Sequence, residues 1–194
     1  MHRFITSGLI VVIGALAPRA AAAQRITITP QAGVYVPGDD LDKLRAGADS
    51  VLVRKEGAFA LGFNIDLGMF RGSLAYASNA TLRRSGVSGD VGDGNVLAVA
   101  GDVVLRPLPR VLVQPYVLLG AGVRREDYSF DDDGLTNAFP ESDSDFALHL
   151  GLGADLNLGP LGLSVELTDF ISKNEDDDWK RHDGFGFVGM KLRL

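Results

Sequence analysis

The side chains best equipped for chemistry are His149, Ser164 and Glu166, an imidazole, a hydroxyl and a carboxylate on two successive apolar-alternating segments. A Ser–His–acid set cleaves an acyl bond only when base and nucleophile touch and donors wait for the oxyanion. Two acidic runs form a second candidate: Asp131-Asp132-Asp133-Gly134 and Glu175-Asp176-Asp177-Asp178. Asp131, Asp132, Asp133, Asp176, Asp177 and Asp178 are the candidate ligands for Ca²⁺ or Mg²⁺. Neither run has the alternating ligands and distant Glu of an EF-hand, so the expectation is a solvated acidic surface with no metal and no other cofactor. The third candidate is a set of charges set singly into apolar segments: Asp66, Arg71, Asp102, Arg106, Arg124, Asp155, Glu166, Lys191 and Arg193.

The segments that carry these charges have the period of strands. Apolar residues recur every second position, and 24 glycines punctuate the chain. Phe146, Leu148, Leu150, Leu152, Ala154 and Leu156 fall on one face; Ala147, His149, Gly151, Gly153, Asp155 and Asn157 fall on the other. Eight such strands are expected, at about 25–36, 57–67, 70–79, 95–106, 110–125, 145–157, 161–172 and 184–194. Short turns join them at Gly68-Met69, Pro107-Leu108-Pro109 and Gly159-Pro160, and four longer polar links alternate with these. Three short and four long connections suit an all-β, eight-stranded antiparallel up-and-down transmembrane β-barrel with both chain ends on the short-turn side. Pro30 and Pro115 lack a ladder donor and are expected at a bulge or a strand end.

The first 23 residues read as a cleaved secretory signal peptide. His2 and Arg3 precede an apolar core, Leu9 to Leu16, and Ala21-Ala22-Ala23 supplies small residues before Gln24. The apolar run is far short of the roughly 20 residues a spanning helix needs. The mature chain, 24–194, is then one barrel domain in an outer membrane. The signal holds two of the 19 basic residues and none of the 25 acidic ones, so the mature balance is 17 against 25, a net charge of −8. Nucleic acid is excluded by that sign. The absence of cysteine excludes a disulfide scaffold and attachment through an N-terminal Cys.

Periodicity alone leaves a soluble lipocalin-like barrel or a β-sandwich open, since either can wet one face. The export signal, the loop asymmetry and the terminal strand favour the membrane. In that strand Gly186, Val188, Met190, Leu192 and Leu194 share one face, while Lys191 and Arg193 lie on the other, which only a wet interior accepts.

The chain resembles the small eight-stranded outer-membrane barrels, the OmpA/OmpX-like superfamily. The resemblance rests on Pro115-Tyr116 with Gly120-Ala121-Gly122, on Val165-Glu166-Leu167-Thr168-Asp169-Phe170, and on Val188 to Leu194. It implies that Gly189, Met190, Leu192 and Leu194 form an assembly signal for the outer-membrane insertion machinery. Leu192 and Leu194 stand where an aromatic pair is usual. Some barrels of this superfamily are lipid A deacylases, with a lipid-facing His and Ser two positions apart on one strand. Here Gly151 follows His149 at that spacing, and His149 falls on the inner face, so the motif does not carry over.

The expected interior is therefore a structural polar network of Asp66, Arg71, Asp102, Arg106, Arg124, His149, Asp155, Glu166, Lys191 and Arg193, filling a lumen too narrow for much else. Asp102, Glu166 and Lys191 are expected near its middle. Tyr35, Tyr116, Phe170, Phe185 and Phe187 are expected beside them. The long connections hold 19 of the 25 acids, Glu126, Asp143 and Asp183 among them, as a negative outer rim. Trp179 is expected to anchor at the lipopolysaccharide interface. The functional expectation is a monomeric, non-catalytic outer-membrane protein with a structural or surface-interaction role, in contact with outer-membrane lipid and lipopolysaccharide. A small porin or a transporter for small or apolar molecules is the second reading, and a lipid-modifying enzyme the third.

Overall fold

The structure is a computed structural model that describes residues 26–38, 41–46, 49–84, 90–108, 111–130, 142–173 and 179–194. The signal segment and both acidic runs lie outside the described residues. Of Trp179 only the backbone is described.

Every described element is a strand: β1 (Ile26–Pro37), β2 (Leu41–Ala46), β3 (Asp49–Lys55), β4 (Ala58–Leu67), β5 (Phe70–Arg84), β6 (Asp90–Leu105), β7 (Val113–Phe130), β8 (Ser142–Leu158), β9 (Leu161–Lys173) and β10 (Trp179–Arg193). Eight of them pair in the cyclic order β1-β4-β5-β6-β7-β8-β9-β10 and close a barrel through the antiparallel β1–β10 seam. Closure satisfies both edges of every barrel strand, which hydrocarbon demands. The expected strands are present, but the outer ends of β5, β6, β7, β8 and β10 run further than expected. β2 and β3 form an unexpected hairpin beyond the outer end of β1, and β3 pairs with the outer end of β5 through Val53–Lys55.

The inner turns at Gly68-Met69 and Gly159-Pro160 are tight, and Gly68 and Gly159 hold positive φ of 68° and 80° there, where a side chain would be strained. The third is longer than three residues: β6 ends at Leu105 and β7 begins at Val113. Pro115 sits where β6 has already ended, so its missing N–H costs no pairing on that side. Pro30 corrects the expectation, because it lies inside β1. The β1–β10 pairing omits Thr29 and Pro30 yet keeps its register from Ile28↔Leu192 to Gln31↔Gly189, a gap in the ladder with no bulge.

Alternation decides which face is wet. Phe59, Leu61, Phe63, Ile65 and Leu67 of β4 point outward and are exposed, as are Leu163, Val165 and Leu167 of β9 and Val188 and Met190 of β10. Asp66, Arg71, Asp102, Arg124, His149, Asp155, Glu166 and Lys191 point inward and are buried. A soluble barrel would have the opposite polarity. The apolar belt needs a lipid solvent.

Candidate functional site: the filled lumen

The interior is shaped by an uneven distribution of side-chain size. β4, β5 and β6 turn Ala60, Ala75, Ala77, Ala80, Ala98 and Ala100 inward, and β1, β9 and β10 turn Tyr35, Phe170, Phe185 and Phe187 inward against them. The Phe187 ring crosses to Gly62, where an added methyl would meet it at 3.1 Å. Large residues on one wall thus occupy the space that small ones leave on the other, as in a packed core.

At the inner end the charges form one connected cluster. The Arg71 guanidinium donates to Asp66 at 2.7 Å and also to Glu166. Tyr116 donates its hydroxyl proton to Glu166 at 2.6 Å and lies 3.2 Å from the Ser164 hydroxyl, which donates to Asp155 at 3.0 Å. Lys191 donates to Asp155 and lies 3.9 Å from Asp66. Arg106 closes the mouth, 3.6 Å from Asp66 and 3.9 Å from Asp155. Arg193 donates to Asn157 and to the Gly159 carbonyl at 2.8 Å, apart from the acids. Glu166 and Lys191 therefore belong to this end, and only Asp102 of the three residues expected near the middle stays apart.

Asp102 accepts from Ser73 and bonds His149 Nδ1 at 2.7 Å. The imidazole lies flat on Phe170, ring centres 4.0 Å apart, and Phe170 meets Phe185 edge-on at 5.9 Å. Phe185 stacks on Phe187 and tilts against Tyr35. These rings make an aromatic layer across the lumen. His149 and Ser164 are not brought together: the imidazole faces Asp102, and the hydroxyl serves Tyr116 and Asp155. The catalytic arrangement weighed from sequence is not assembled by these residues.

Above the rings lies a second ionic cluster, of which Arg124 is the member expected in the lumen and Glu126, Asp143 and Asp183 were expected in the long connections. Arg124 pairs with Glu126 and Asp183, and reaches Asp145 at 3.2 Å. Arg181 pairs with Glu126 and with Asp143 at 3.1 Å, and Tyr35 donates to Asp183. Glu126 and Asp183 are buried inside the barrel, so they are not rim acids. The cue was in the sequence: Glu126 follows Arg124 at strand spacing, and Arg181 and Asp183 keep the phase of Phe185 and Phe187. No group of three or more metal-ligating side chains occurs among the described residues.

A closed eight-stranded barrel is also what comparison with solved structures finds. The crystal structure of the outer membrane protein OprG from Pseudomonas aeruginosa matches with a TM-score of 0.65 at 15% identity, covering 89% of this chain and 96% of that one. Neisserial surface protein A matches with a TM-score of 0.53 at 8% identity, covering 89% and 98%. The fold is that of the small outer-membrane barrels. No protein-family model matches the sequence, and no curated protein matches it. At these identities the likeness is one of architecture, and the lumen side chains have to speak for themselves.

Proposed function

We infer that the protein is a sealed integral barrel of the outer membrane, exported by its N-terminal signal and serving envelope structure and surface interaction without catalysis. The observation that carries this reading is the filled lumen: ionic clusters at both ends, and rings of Tyr35, Phe170, Phe185 and Phe187 between them. An ion entering from either side would have to displace paired charges and then cross an aromatic layer, both costly steps. The parts left to meet the surroundings are the outer extensions of β5 to β8 and the β2–β3 hairpin, which lie beyond the apolar belt. Lipopolysaccharide surrounds them in this reading, the insertion machinery meets the β10 terminus during assembly, and the barrel acts as a monomer.

Planar-bilayer recording of the pure folded protein tests the closed lumen. The expected record at neutral pH has no stable open level; reproducible single-channel steps would establish the porin reading instead. The enzyme reading has its own test. Replacing His149 or Ser164 by Ala is expected to leave lipid A composition unchanged in an expressing host, and an acyl change that depends on either residue would overturn the non-catalytic reading.

A further inference from the structure

The outward face of the barrel carries a carboxylate between apolar neighbours on its own strand. On β9 the lipid-facing phase runs Leu163, Val165, Leu167, Asp169, Ile171. Asp169 pairs with Leu150 of β8 on one side and Gly184 of β10 on the other. Ile171 lies further out on its own strand, as do Leu148 and Phe146 on β8, so the carboxylate sits beneath the outer edge of the apolar belt. His182, outward on β10, reaches it with Nδ1 2.6 Å from Asp169 Oδ2. The two side chains stay 36% and 43% exposed to the surroundings. Asp169 Oδ1 is itself buried and has no hydrogen-bond partner among the described residues.

Beside this pair the surface is notched. Gly184 and Gly186 present no side chain outward. Leu167 and Val34 lean over Gly186, where an added methyl would meet them at 3.3 and 3.6 Å. Over Gly184 only Val36 comes near, with its carbonyl at 3.2 Å and its Cβ at 3.9 Å. The notch is thus floored by Gly184, with Val36 on its β1 side and Asp169, the register partner of Gly184, on its β9 side.

We propose that Asp169, His182 and Gly184 form a lipid-facing site for an outer-leaflet glycolipid whose acyl chains carry hydroxyl or amide donors just below the sugar. The inference rests on the membrane reading above, because only lipid meets this face. An ionisable group facing hydrocarbon is costly without a partner, and such groups mark sites of interaction. Ester-linked phospholipids offer only carbonyl acceptors at that depth, which a carboxylate cannot use. A hydroxyacyl, amide-linked glycolipid offers O–H and N–H donors there, and the glycine lets the donor approach the backbone beside the acid.

The test uses the full barrel folded in detergent, with purified hydroxyacylated lipid A and, as a probe with phosphate but no acyl donors, dioleoyl phosphatidic acid. Retention is read by native mass spectrometry, and folding of every sample by heat-modifiable gel migration. Wild type is expected to retain lipid A in preference to phosphatidic acid. Asp169→Ala is expected to lose about tenfold in lipid A retention, the weight of one hydrogen bond to a charged acceptor. Gly184→Ala, which keeps the acid and fills the notch, should lose retention in the same direction, whereas Leu152→Ala on the lipid face of β8 should not. Equal retention of the two lipids by wild type, or equal lipid A retention by folded wild type and both site variants, overturns the site. A wild type that never becomes heat-modifiable overturns the membrane reading instead, so the two failures are distinguishable.

Discussion

The two ends of the lumen solve the same electrostatic problem under different conditions. At the inner end Asp66, Arg71, Asp155, Glu166 and Lys191 are all buried, and tight turns at Gly68-Met69 and Gly159-Pro160 hold the strands that carry them. At the outer end Arg124, Glu126 and Asp183 are as deeply buried, but they are joined to Asp143, Asp145 and Arg181, whose side chains are 42%, 27% and 22% exposed. The inner cluster meets water only through Arg106, whose side chain is 20% exposed, whereas the outer one grades into water through three side chains. Water and salt weaken charge–charge interactions wherever they reach them. The inner end should therefore govern stability, and the outer end should tolerate change.

The sharpest way to break that contrast is to cut at each end. Removing Leu192–Leu194 deletes the inner end of the β1–β10 seam, where Leu192 pairs with Ile28 and the Leu194 amide donates to the Ile26 carbonyl. Backbone groups stripped of partners in lipid cost several kcal/mol each. The expectation is near-complete loss of heat-modifiable barrel from purified outer membranes. Removing three residues from the acidic 131–133 run, between β7 and β8, should leave most of the yield. Equal yields would show that the seam does not control assembly.

Arg71→Met gives the next largest effect. It leaves Asp66 and Glu166 buried with fewer donors, and breaking one side of a buried ion pair costs about 3–5 kcal/mol. Urea unfolding of the protein in bilayers should show the loss as a lower midpoint. Asp66→Asn combined with Arg71→Met should recover part of it, because the uncompensated charge is the damage. A midpoint unchanged by Arg71→Met would mean that water enters the inner cluster freely.

The unequal legibility of the two ends has a physical cause. Within the belt, lipid on one side and a packed lumen on the other impose strict alternation, so residues such as Phe146 to Asn157 declare their faces by type alone. The inner charges stand out against that alternation. Beyond the belt the outer face of a strand meets water, so polar residues such as Arg125 and Asp127 occupy it while Arg124 and Glu126 fill the buried inner face. Composition then looks like a loop, although the period of two persists. The pairing partners across the lumen were not legible, since Asp102 and His149 are 47 positions apart and only the barrel's closed register brings them to one level. Asp169 was hidden for a different reason: it keeps the lipid-facing phase but not the lipid-facing chemistry.

The smallest effect tests the outer end. Arg181→Ala removes the partner of Glu126 and Asp143, but Arg124 still holds Glu126, and Arg181 is itself in part exposed. An exposed pair is worth up to about 1 kcal/mol, and burial of Glu126 at its other partner places this loss near the upper part of that range. The same urea experiment should thus show a shift several times smaller than that of Arg71→Met. Salt separates the two further. Raising ionic strength should shrink the difference between Arg181→Ala and wild type, because the interaction it removes is already screened, and should leave the Arg71→Met deficit nearly unchanged. If the two variants responded alike to salt, the outer cluster would be as sealed as the inner one, and the grading from core to water would have to be abandoned.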